Sequence, residues 1–117
     1  MDATCLCIER TNDVVVATTA APQFTEAEAQ ELVDELIGCI RYDSVHFFVL
    51  DFAAVEQIHS ACVDALLTLY QELEHVRGRV VLANCGASVF TLLETTRLDA
   101  MFEVFEDLDE AVASVTL

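Results

Sequence analysis

His59, Ser60 and Cys62 place an imidazole, a hydroxyl and a thiol within four consecutive residues. A nucleophile beside a base is the arrangement of covalent catalysis. Such a base must be held by a third group, however, and side chains adjacent in sequence rarely meet that geometry. No G-x-S-x-G elbow surrounds Ser60. Cys5 and Cys7 would share one face of a strand, but no second Cys pair or His pair completes a zinc set. The five cysteines are odd in number and lack the spacing of a disulfide framework, so they read as reduced, small, buried hydrophobes. Neither G-x-G-x-x-G nor G-x-x-x-x-G-K occurs, which removes the common phosphate-cradling loops. His46 and His75 read as structural or solvated. No cofactor and no metal is expected.

Ser60 carries the most specific chemistry. It stands between a buried strand and an amphipathic helix, where serine is a preferred N-cap worth about 1 kcal/mol. The plain reading is a cap and nothing more. The functional reading uses the same geometry. Free amides and the positive end of the helix dipole would stabilise a phosphate on this hydroxyl.

The elements that must hold this segment are legible in the pattern. Cys5–Arg10 and Val14–Thr18 are β-rich runs around an Asn12-Asp13 turn signal, which predicts a hairpin. Pro22 stops the second strand. Thr25 and Glu28 form a capping box, and Ala29, Leu32, Val33, Leu36, Ile37 and Ile40 make the stripe of a first helix. Val45–Leu50, ending at Asp51-Phe52, is apolar on both faces, as a parallel strand requires. A second helix is expected from near Ser60, with Val63, Leu66, Leu67, Tyr70 and Leu73 inward and Gly78 as its C′ residue. Arg79–Asn84 is another buried strand. Val89, Leu92 and Leu93 mark a third helix. Phe102–Phe105 reads as an edge strand, and Asp107 and Glu110 open a last helix. The order β-β-α-β-α-β-α-β-α predicts an α/β fold with a mostly parallel sheet and an N-terminal hairpin. One domain over residues 1–117 is expected.

Composition narrows the partners. Hydrophobic residues make up 55% of the 117, so the chain can bury a core. Twenty-one acidic residues face five arginines and no lysine, for a formal net charge of −16. Nucleic-acid binding requires a basic footprint, which is missing, and anionic membrane surfaces are disfavoured for the same reason. No run of about 18 apolar residues suggests a membrane span. With no positive n-region at Met1-Asp2-Ala3-Thr4, a cytoplasmic location is expected.

The segment from Asp51 to Leu67, DFAAVEQIHSACVDALL, resembles the signature of STAS domains, roughly D-L-S-x-V-x-x-I-D-S-S-G-L-x-x-L-L. These are the anti-sigma-factor antagonists and the related modules of sulfate transporters. The resemblance continues without gaps through Tyr70, Gly78, Arg79–Asn84, Leu92–Leu98, Phe102–Phe105 and Glu110-Ala111, and so runs from Val45 to the C-terminus. Towards the N-terminus the element order agrees, but Ala20-Ala21-Pro22 replaces the usual G-x-L-D turn.

The resemblance implies a mixed, mostly parallel sheet flanked by helices and a non-enzymatic regulatory role. In bacterial members the partner is a kinase-type anti-sigma factor, and phosphorylation of a serine at the start of the second helix ends binding. Ser60 falls on that acceptor position. Glu56, Gln57, Ile58, His59, Ser60, Ala61 and Cys62 then form the partner-binding or switch loop. This chain departs from the pattern at His59 for the aspartate, Ala61 for the second serine and Cys62 for the glycine. It departs again at Gly86-Ala87 for serine-proline and at Arg97 for a glycine. A ligand sensor taking an anion or nucleotide at the same helix N-terminus, and a scaffold subunit of a signalling assembly, remain open alternatives. An enzyme using Cys62 or Ser60 as its nucleophile is another. Homo-oligomerisation is left open.

Overall fold

The structure is a computed structural model that describes residues 6–11, 14–20 and 22–115. In chain order the strands are β1 (Leu6–Thr11), β2 (Val14–Thr19), β3 (Gln23–Phe24), β4 (Phe47–Asp51), β5 (Gln57–Ile58), β6 (Arg79–Ala83) and β7 (Glu103–Phe105). The helices are α1 (Glu26–Tyr42), α2 (Cys62–His75), α3 (Ala87–Thr95) and α4 (Leu108–Val115), with a 3-10 turn at Leu98–Ala100.

The main sheet has the order β1-β2-β4-β6-β7. β1 and β2 pair antiparallel, and every other neighbouring pair is parallel. This is the expected mixed sheet with an N-terminal hairpin. The Asn12-Asp13 turn and Cys5 lie outside the described residues. β7 is the expected edge strand.

The central strands β2, β4 and β6 are mainly apolar because both of their faces are covered. Val14, Val16, Val49, Val81 and Ala83 meet Ala111 and Val115 of α4 on one face. Val15, Ala17, Phe48, Leu50, Val80 and Leu82 point to the other face. There they meet Leu32 and Leu36 of α1, Leu66, Leu69 and Leu73 of α2, and Val89 and Leu93 of α3. Among the described residues, no helix is long and apolar enough to cross a membrane.

Capping follows the sequence at two helices. Glu28 Oε1 accepts from the Thr25 amide at 2.9 Å and also from the Thr25 hydroxyl, completing the box at α1. Asp107 Oδ1 accepts from the Glu110 amide at 2.8 Å and opens α4.

Three details differ from expectation. The pair β3–β5, Gln23 beside Gln57 and Phe24 beside Ile58, forms a separate two-stranded ribbon. Two-residue strands carry no periodicity to read. The second helix starts at Cys62 with Ala61 as its N-cap, so Ser60 stands one residue ahead of the cap. At the far end of α2, Gly78 is not the C′ residue. Arg77 takes the left-handed position with φ 56°, and the Gly78 amide donates back to Leu73 O at 2.7 Å, as in a Schellman turn. Gly78 answers a different need. A Cβ there would lie 2.5 Å from His46 O and 2.6 Å from the Leu73 side chain.

Candidate functional site

The Ser60 loop leaves the C-terminal end of β4, where a parallel sheet with helical crossovers presents its loops. Asp51 closes that strand and is buried. Its Oδ1 accepts from the Ala53 amide and from Asn84 Nδ2, both at 3.0 Å. Asn84 follows β6 with φ 58°, a left-handed position that asparagine tolerates, and its amide donates to Phe105 O at 3.2 Å. The Phe52 amide donates to Ala83 O at 3.0 Å. The ends of β4, β6 and β7 are thus tied together directly before the loop.

The loop is then fastened to the segment before α1. Pro22 O accepts from the amides of Glu56 at 2.7 Å and Gln57 at 3.0 Å. Phe24 O accepts from the His59 amide at 3.0 Å and from Cys62 Sγ at 3.1 Å. The Phe24 and Phe52 rings lie 5.3 Å apart beneath. His59 O accepts from the Cys62 amide at 3.0 Å, and Ser60 O from the Val63 amide at 3.1 Å. The chain therefore turns before the first residue of α2. Ser60 contributes its carbonyl to that turn, while no hydrogen bond to its hydroxyl is found among the described residues.

The predicted loop residues divide by exposure. Glu56, Gln57, His59, Ser60 and Ala61 are exposed, and Ile58 is half-buried. Cys62 is fully buried. Burial pushes its thiol up to about 11, and Glu28 and Glu26 push in the same direction. This counts against the enzyme alternative in which Cys62 is the nucleophile. The thiolate is the nucleophile, and burial in apolar surroundings suppresses it. No side chain among the described residues bonds the His59 imidazole, so the third group of a triad is missing there.

The neighbours of the loop are acidic. Glu26 and Glu28 occupy the first turn of α1. Bonds from the Thr25 hydroxyl and amide hold the Glu28 carboxyl below its ordinary range, and nearby His59 acts the same way. His59 thus lies within electrostatic reach of a carboxylate from α1 without pairing with it. Sequence reading missed the Asp51–Asn84 clamp as a unit. Its signal was a polar residue closing each of two neighbouring apolar strands. Cys85 stands beside it, half-buried, and burial, with Asp51 adding, pushes its thiol up to about 12.

Comparison with known proteins agrees with this fold. The family model for the STAS domain matches residues 7–111, and the chain belongs to that family. The anti-sigma factor antagonist SpoIIAA in its unphosphorylated form superposes with a TM-score of 0.82 at 21% identity, covering 94% of this chain and 95% of that one. Its phosphorylated form, described as a Bacillus cell fate determinant, gives 0.74 at 19%, covering 95% and 99%. An anti-sigma factor antagonist from Mycobacterium paratuberculosis gives 0.78 at 23%, covering 97% and 94%. The murine anion transporter Slc26a9 gives 0.73 at 20%, and this chain covers 92% of itself but only 18% of that protein. These likenesses show a shared fold. A comparison with curated proteins finds no match.

Proposed function

We propose that this chain is a regulatory protein-interaction module of the anti-sigma-factor-antagonist kind. It binds a protein partner through the Glu56–Ala61 surface and is released when Ser60 is phosphorylated. One observation carries the reading. Ser60 is exposed, with no hydrogen bond to its hydroxyl among the described residues, on a loop whose backbone is fastened on both sides. A kinase can reach such a hydroxyl, and a partner meets a preformed surface rather than a mobile one. Support also comes from the fold shared with SpoIIAA, which has been seen in unphosphorylated and phosphorylated forms.

The switch acts locally. A phosphate adds about −2 charges to a chain already at −16. The overall field changes little. At the centre of an interface, an unpaired dianion would be desolvated at a cost of several kcal/mol. The carboxylates of Glu26 and Glu28 next to the loop oppose the added charge rather than neutralise it. The partner is a protein of the kinase-type anti-sigma class, in the cytoplasm. The role requires no catalysis by this chain.

The test is capture of partners from the source cell with wild type and Ser60→Asp side by side. A kinase-type or sigma-pathway protein held by wild type and lost from Ser60→Asp supports the reading. The same proteins on both baits would leave Ser60 outside the contact surface and overturn it.

A further inference from the structure

A cavity of about 250 Å³ opens at the opposite end of α2 from Ser60, between that helix, the start of β6 and the 3-10 turn. Half-buried Tyr70 is its aromatic wall, its ring packed edge to face on the buried Phe102 with centroids 5.6 Å apart. Met101 stands beside them, one of the few large apolar side chains left open to solvent. The charges at the cavity are unbalanced. Arg79 lines the cavity but is already engaged, donating to Ser114 O at 3.0 Å and pairing with Glu103, which lines it too. Glu74 and Asp99 are exposed, and neither side chain has a hydrogen bond or ion pair among the described residues.

We propose that this cavity is a second protein-contact surface that takes an arginine side chain from a partner. An arginine has an aliphatic stem for the Met101 side and a planar cation that stacks on aromatic faces and pairs with carboxylates. Glu74 and Asp99 supply the complementary charge. A bare metal ion has no use for the apolar wall, and among the described residues no group of His, Cys, Asp and Glu is placed to hold one. The fourteen residues of α2 separate the two surfaces by about 20 Å at 1.5 Å per residue. Both can be occupied at once, so the module can join two proteins. The inference does not depend on phosphorylation of Ser60.

The test is an amide-resolved NMR titration of the whole chain with N-acetyl-arginine N-methylamide, beside the neutral citrulline analogue. The arginine compound should move the amides of Gly78, Asp99 and Met101 saturably, and the citrulline compound should not. The double variant Glu74→Gln/Asp99→Asn should weaken binding about fivefold or more, while Glu35→Gln on α1 leaves it unchanged. Both sets of positions are exposed, so the variants keep the fold. Shifts spread evenly over the acidic surface, equal response to citrulline, or an unaffected double variant would each overturn the proposal. Shifts at the same amides on concentrating the protein alone would make a second copy the occupant and overturn it too.

Discussion

Asn84 Nδ2 donates to Asp51 Oδ1 at 3.0 Å and joins the ends of two neighbouring strands where the chain leaves for Ser60. The same oxygen receives the Ala53 amide at 3.0 Å. Removing the carboxylate leaves both donors without their acceptor in a part-buried place. Asp51→Ala should therefore lower stability by about 2–3 kcal/mol, read by chemical denaturation. It should also loosen the amides of Ala53 and Asn84 in hydrogen exchange. A variant as stable as wild type would contradict this role.

The end of α2 predicts opposite outcomes at adjacent residues. Arg77 holds φ 56°, so Arg77→Gly should stabilise by about 1 kcal/mol. At Gly78 a Cβ would meet His46 O at 2.5 Å, so Gly78→Ala should destabilise by about 1–3 kcal/mol. Thermal unfolding of the two variants checks both signs.

Much of the architecture was legible because its signals are long. The Thr25–Glu28 box and the stripe from Ala29 to Ile40 defined α1, and the doubly covered β4 and β6 read as continuous apolar runs. The ribbon of β3 and β5 was not legible, because it depends on Pro22 O and Phe24 O receiving amides from residues far along the chain. The same contacts moved the start of α2. With Phe24 O holding both the His59 amide and the Cys62 thiol, the turn falls on Ser60 and Ala61, and Cys62 faces inward. Local capping preference at Ser60 gave way to that tertiary arrangement. Residue types alone identified Ser60 and His59 as a candidate pair, but only the fold brings His59 within electrostatic reach of Glu28.

The buried thiols predict an alkaline weakness. Cys62 is pushed up from 9.0 to about 11 and Cys85 to about 12, both chiefly by burial. Above the ordinary thiol range the unfolded chain releases these protons while the native state keeps them. The native state then binds more protons, so stability falls as pH rises. It should be level below about pH 9 and decline through about pH 11, followed by thermal unfolding across a pH series. Rapid labelling of Cys62 by a thiol reagent in the native protein at neutral pH would contradict the assignment.

The net charge of −16 predicts a salt response. Like charges repel across a small globule, and screening relieves that repulsion. Added sodium chloride should raise Tm. A flat or falling series would contradict it.

The most direct test of the central claim is the affinity of the captured partner for wild type, Ser60→Ala and Ser60→Asp, measured by calorimetry. The switch predicts that Ser60→Ala binds nearly as wild type and that Ser60→Asp binds at least about tenfold more weakly, as a charge buried in an interface requires. Equal affinities for the two variants would show that charge at Ser60 does not govern binding.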